Sequence, residues 1–385
     1  MTAWTITPRD PLLTRDGRPN IGRSQSRTLP FPYPSSVAGV VRTRLGTDPD
    51  RGFALADRVA DLLRVSLKGP LLWDGTDLQF PAPRDVVVFR GQKGFELAPL
   101  VPEKVNDAVF DDDLPATAEW CLPVMRPLRD EKPATDAPAF WTWDCMRQWL
   151  VRPADERCSV DISKGMRTLP RESRVHVALG PTETAVEGML FSTSGLRFSG
   201  TAASQPESES WRCLSSCALW LEVDTPSTMA DRALAPGFAP MAGERRIALW
   251  EPSPRGCPDV PEEVAEHIES GSSALVRVIL ATPGIFASGW RPQWLLAAPD
   301  GSGLSVKLIA ACVGRAETVS GWDLATGRPK PTRRLAPSGS VFWLELSGAA
   351  AERRRWLDSI WMSNVSDAAQ DRTDGFGLAL VGVGP

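Results

Sequence analysis

The order of patterned segments after about residue 270 constrains this chain more than any other feature. "SSALVRVILATPG" reads as a buried strand, "GLSVKLIAACVGRAETVSGWD" as one or two more, and "GSVFWLELS" as another. "AAAERRRWLDSIWMS" has helical spacing, with Trp356, Leu357, Ile360 and Trp361 on one side, and "GFGLALVGVG" is a last strand entered through glycines. Strand, connection, strand, strand, helix, strand is compatible with a ferredoxin-like or RRM-like fold.

The first half carries a looser version of the same order. "TAWTITPRD" reads as a short strand. "FPYPSSVAGVVRTRLG" reads as a helix with an extended proline entry, Ser35 or Ser36 as cap, and Val37, Val40, Val41 and Leu45 as its apolar stripe. Arg42 projects off that stripe, whereas Arg44 falls within its arc and must snorkel or pair. "LRVSLKGPLLW", "DLQFPAPRDVVVFR", "FELAPL", "SCALWLEVD" and "RRIALW" read as strands, and "FWTWDCMRQWL" (140–150) as a helix. "VHVALG" and "TAVEGMLFSTSGLRF" are two β-like runs joined around Gly180 and Pro181, a hairpin able to reach out as a finger. The acidic stretch 103–119 and the small, polar stretch 199–212 read as loops. "EPSPRGCPDVPEEVAEHIES" has the proline and charge content of a junction. The expected fold is therefore α+β: two tandem ferredoxin-like or RRM-like domains, 1–255 and 256–385, with long loop insertions and a protruding β-hairpin thumb.

Several function classes run short of residues. The chain has only two histidines, His176 and His267, neither with a metal-ligand companion at short spacing. Seven scattered cysteines suit buried thiols in a reducing compartment, and Cys213 and Cys217 lack the second pair that a structural zinc site needs. "DGFGLALVGVGP" has neither the Gly-Lys-Ser/Thr of a Walker loop nor a following helix, so Gly375 and Gly377 either open backbone amides to an anion or make a tight turn. The fifteen tryptophans are expected mostly in the core. No apolar run is long enough to span a bilayer and the N-terminus lacks signal-peptide character, so a cytoplasmic protein without cofactor or metal is expected.

Charge is segregated. The chain sums to −4, yet residues 1–46 hold Arg9, Arg15, Arg18, Arg23, Arg27, Arg42 and Arg44 against Asp10 and Asp16. Residues 157–174 hold Arg157, Lys164, Arg167, Arg171 and Arg174 against Asp161 and Glu172. Residues 315–334 hold Arg315, Arg328, Lys330, Arg333 and Arg334 against Glu317 and Asp323. Three basic loops on an acidic remainder are expected of a groove that follows a phosphate backbone, and Trp322, Phe31 and Tyr33 are close in sequence for base stacking.

The succession "RDPLLTRDGRP", "LPFPYPSSVAGVVRTRLG", "GERRIALW", "LATPGIFASGWRP", "SGWDLATGRPKPTRRLAPSGSVFWLEL" and "DGFGLALVGVG" resembles the RAMP subunit of type III-B CRISPR effectors, the Cmr complex, that holds the crRNA 5′ handle. The likeness covers both ends and much of the second half, and is weak from about 100 to 210. It implies a non-catalytic, RNA-binding subunit that docks the large polymerase-cyclase subunit and the backbone RAMP subunits, with no membrane and no DNA binding of its own. It also implies that Arg15, Arg18, Arg23, Arg42 and Arg44 supply charge to the RNA, and that Ser35 and Ser36 supply helix-start amides. Lys164, Met166, Arg167, Arg171 and Arg174 would form the thumb. Trp322, Lys330, Arg333 and Arg334, with Gly375 and Gly377, would line the other side of the groove. The competing readings are a crRNA-processing RAMP endoribonuclease using His176 or Tyr33, the equivalent type III-A subunit, and a scaffold that touches no RNA.

Overall fold

Apolar alternation and the prolines and glycines that interrupt it divide the chain into short strands; among the described residues these form seven sheets, of which the two largest are antiparallel throughout. The computed structural model describes residues 1–15, 25–26, 28–48, 52–104, 120–152, 154, 156–198, 217–298, 301–323 and 328–385. The first sheet has seven strands in the order Phe140–Thr142, Leu78–Pro81, Ser66–Trp73, Ala218–Asp224, Thr2–Pro8, Arg246–Pro252, Gly237–Met241. The second has four: Ser305–Cys312, Val341–Ser347, Ser273–Leu280, Ala379–Val383. Every neighbouring pair in both is antiparallel. Helices pack beside these sheets instead of alternating with parallel strands, so the class is α+β.

The strands foreseen in the second half form as read, and the helix Ala350–Ile360 buries Trp356, Leu357 and Ile360. Arg353 shares that face and is buried too. Its guanidinium donates to the carbonyls of Ile268, Glu269, Ser270, Gly271, Ser272 and Gly348. These carbonyls include the unpaired C-terminal end of the helix Glu262–Glu269, where a cation is favoured by the helix dipole. That helix lies inside the segment read as a junction.

Two local expectations are corrected. The residue capping helix Pro34–Gly46 is Tyr33, with Pro34 at the first helical position and no side-chain cap, so neither Ser35 nor Ser36 caps it. The helix expected at 140–150 begins later, at Trp143. Phe140–Thr142 is an edge strand, and Thr142 Oγ1 accepts from the Cys145 amide at 3.3 Å to cap the helix that follows. Most of the expected loops at 103–119 and 199–212 lie outside the described residues.

One apolar cluster joins the two sheets, taking Trp141, Trp149 and Trp220 from the first half and Val278, Trp343 and Val381 from the second. Helix Trp143–Val151 is its wedge. A Cβ at Gly382 would meet Leu150 Cδ2 at 2.9 Å and Leu150 O at 3.0 Å, so the missing side chain lets this helix seat closely on the last strand. Arg277 of the second sheet is fully buried against Asp85, whose other carboxylate oxygen accepts from Trp149 Nε1 at 2.9 Å. Arg277 also donates to Val383 O at 2.8 Å and to Trp149 O. Burial pulls its pKa down, opposed by Asp85. Among the described residues no helix is long and apolar enough to cross a membrane.

Candidate nucleic-acid interface

The arginine-rich stretch at the N-terminus is pinned at its base. Thr28 Oγ1 accepts from the Thr14 amide and donates to Thr14 O, both at 3.0 Å, and the Leu29 amide donates to Thr14 O at 2.8 Å. Arg15 emerges exposed beside this clasp, whereas Arg18 and Arg23 lie outside the described residues. A cleft of about 330 Å³ opens next to it, lined by Leu13, Thr14, Arg15, Ser36, Ala242 and Gly243. The turn on its far side is strained. Ala242 has φ 58° and ψ −159°, and Arg245 has φ 50°, conformations rare outside glycine and concentrated at functional sites. Arg245 is exposed there. Nothing local in "GERRIALW" joins residue 245 to residue 15, so that charge has no role legible in the sequence.

Other expected contacts are committed within the protein. Arg42 pairs with Asp374 Oδ1 at 2.7 Å and donates to Val65 O at 2.9 Å, with its side chain only 11 % exposed. Arg44 lies over the Trp250 ring, 5.0 Å from its centroid, and donates to Ala235 O. Burial lowers its pKa. The Ser36 amide donates to Tyr33 O at 3.0 Å, so it is not an open anion donor; the Ser36 side chain is exposed and that of Ser35 half-buried.

The glycine-rich loop is also enclosed. Gly375 and Gly377 have φ of +100° and +81°, and a Cβ on Gly375 would meet Gly69 O at 2.5 Å. Their amides donate to Arg372 O and Pro283 O, and the Phe376 amide to Asp371 O. Of the two readings left open, the tight turn is the observed one: all three amides are engaged inside the fold. Arg333 pairs with Asp371 and lies 6.0 Å from the Phe376 ring centroid. Lys330 and Arg334 beside it are exposed. Trp322 contributes backbone to a two-residue ladder with Pro329, and its side chain lies outside the described residues.

In the second basic stretch, Arg157 is buried beneath the Trp149 ring and donates to Val383 O at 2.7 Å, so its charge never reaches the surface. Lys164 is exposed. Met166 exchanges backbone bonds with Phe140, which extends the edge of the seven-stranded sheet instead of the thumb. Arg167 pairs with Asp136 at 3.1 Å but stays 68 % exposed. Arg171 and Arg174 are on the projecting hairpin Arg171–Leu179 and Ala185–Leu196, Arg174 paired with Glu172 at 2.7 Å.

Both candidates for acid–base work are hydrogen-bonded within the protein. The Tyr33 hydroxyl donates to Glu317 Oε2 at 3.0 Å, and its side chain is buried in the core near Phe376. His176 Nε2 is 2.8 Å from Thr193 Oγ1, and its ring stacks on Phe191. Among the described residues no group of three or more His, Cys, Asp or Glu side chains is arranged to hold a metal ion.

What decides the lineage is the extent of one match: the family model described as "CRISPR-associated protein (Cas_Cmr3)" aligns with residues 4–384. The chain belongs to the Cas_Cmr3 family. It is accordingly a CRISPR subunit of the type III-B Cmr kind. The chain is similar to one in a type III-B Cmr-beta complex bound to cognate target RNA and AMPPnP, with 15 % identity, a TM-score of 0.46, and coverage of 92 % of this chain and 87 % of that one. A second Cmr-beta structure, bound to cognate target RNA, gives 14 %, 0.47, 89 % and 86 %. A Csm3–Csm4 subcomplex of the type III-A interference complex gives 8 %, 0.34, 89 % and 92 %. No curated protein matches the chain.

Proposed function

We propose that this Cmr subunit is a non-catalytic RNA-binding component that grips the crRNA 5′ handle and bridges the large polymerase-cyclase subunit to the backbone RAMP subunits. The observation that carries the reading is the family match over residues 4–384, which takes in all the motifs of the resemblance. The reading assigns the RNA to Arg15, Lys164, Arg171, Lys330 and Arg334, which are exposed, and adds Arg245. Arg18, Arg23 and Trp322 stay in the proposal on sequence grounds. Arg42 and Arg44 move to a supporting role behind the surface.

The two-domain architecture belongs to the same proposal. Within the seven-stranded sheet the four core strands Thr2–Pro8, Ser66–Trp73, Ala218–Asp224 and Arg246–Pro252, like the four strands of the second sheet, place the first between the third and fourth, with the second outside the third. That order supports tandem ferredoxin-like domains at 1–255 and 256–385 in a cytoplasmic ribonucleoprotein.

The test is binding of the full chain to a crRNA carrying its 5′ handle, against the same RNA with the handle scrambled, with the RNA examined on a gel. Selective binding of intact RNA is expected, weakened by Arg15→Glu and by Arg334→Glu. Cleavage that disappears in His176→Ala would instead make the protein an endoribonuclease. Equal binding of both RNAs would favour the scaffold.

A further inference from the structure

The projecting hairpin has two chemically different faces, because side chains alternate across a strand. Val175, Val177 and Leu179 share one face with Leu190, which lies opposite Val177, and all four are between 43 % and 73 % exposed. The other face carries Arg174 and His176, opposite Thr193 and Phe191 respectively. There the His176 and Phe191 rings are stacked, with centroids 5.1 Å apart and planes 17° from parallel. The bond between His176 Nε2 and Thr193 Oγ1 fixes the imidazole plane.

Among the described residues neither ring belongs to an apolar core cluster, and Phe191 is 42 % exposed. A flat aromatic surface left open beside a guanidinium is the chemistry by which single-stranded RNA is held: a base stacks on the ring and the cation meets the neighbouring phosphate. Arg174 has the reach for the second task. Its pair with Glu172 is half-exposed, and such pairs contribute little against a phosphate competitor.

We propose that the His176–Phe191 pair is a stacking platform for one unpaired base of a single-stranded RNA, with Arg174 on the adjoining phosphate. The proposal rests on the RNA-binding reading above and adds to it a residue-level site on one face of the thumb. The opposite face carries Arg171 and Ser173 below its aliphatic residues but no π-plane, so it stacks no base. His176 acts as a positioning residue that holds the Phe191 ring, not as a proton donor.

The experiment uses the full chain and handle-bearing crRNA with 2-aminopurine placed at one position at a time. Quenching on binding is expected at one position, lost in Phe191→Ala and kept in Phe191→Trp. Affinity in Phe191→Ala should fall about 5-fold or more, the range found for loss of one base–aromatic stack. Val177→Ser, on the opposite face, should leave both readouts unchanged. Quenching and affinity unaltered in Phe191→Ala would overturn the platform while leaving the RNA-binding reading intact. Equal losses in Phe191→Ala and Val177→Ser would also overturn it and assign the effect to the hairpin as a whole or to a protein-facing aliphatic side. Failure of the wild-type chain to bind handle RNA would overturn both proposals together.

Discussion

The two sheets share one order of strands and differ in what lies between them. The second completes its four core strands between residues 273 and 383, with only short excursions. The first needs residues 2 to 252 for the same four positions, because the chain from Asp74 to Cys217 is inserted between its second and third core strands. That insertion provides both extremes of the molecule. Its helix Trp143–Val151 is driven into the core shared with the other sheet, and its hairpin Arg171–Leu196 stands out in solvent. An insertion in a compact order is therefore no mere decoration: one part fastens the halves, and another presents a surface.

The largest effect should come from the fastening. Arg277→Met leaves the buried Asp85 side chain without its arginine, so unfolding free energy should drop by about 3–5 kcal/mol, measured by urea denaturation. Arg277→Met with Asp85→Leu should recover part of the loss. A drop below about 1 kcal/mol would mean that this pair does not hold the insertion to the second sheet.

The turn into the last strand comes next. Gly375→Ala puts a Cβ 2.5 Å from Gly69 O at φ +100°, a clash between backbones of the two halves. A loss of about 1–3 kcal/mol or more is expected in a thermal melt. An unchanged Tm would show that the two loops can part freely.

Arg42 and Arg15 sharpen the contrast between fastening and presenting. Arg42→Ala should lower stability by about 1–2 kcal/mol, through its partly buried link to Asp374, and leave the affinity of the folded protein for handle RNA unchanged. Arg15→Ala should change stability by less than about 0.5 kcal/mol, weaken RNA binding, and lower the salt slope by about one. The reverse pattern in a salt titration would return Arg42 to the RNA surface.

The smallest effect concerns the turn that opens the insertion. Burial alone would raise the pKa of Asp74. The Thr76 hydroxyl, the amides of Asp77 and Thr76, and Gln79 Nε2 all donate to its carboxylate and together hold it below its ordinary value. A depressed carboxylate stabilises above its unfolded pKa, near 4, and loses that contribution as pH falls through the lower folded value. Asp74→Asn should therefore flatten the decline in stability below pH 4 by less than about 1 kcal/mol. An identical decline in the variant would exclude this turn as its source.

The sequence by itself determined the element types, since periodicity and breakers are local. The second half reads directly as strand, strand, strand, helix, strand, and the hairpin at 171–196 follows from two β-like runs around Gly180. Among the described residues nine tryptophans are buried, as apolar bulk requires. Only the tertiary structure decided which charges face water. Arg42, Arg157, Arg277, Arg333 and Arg353 look alike in a sequence, yet they end on Asp374, Val383 O, Asp85, Asp371 and a helix's last carbonyls. Gly375 of the final turn likewise faces Gly69, some three hundred positions away. A hydrogen-bond partner is chosen by proximity in space, and proximity across that separation exists only once both sheets have packed on one core.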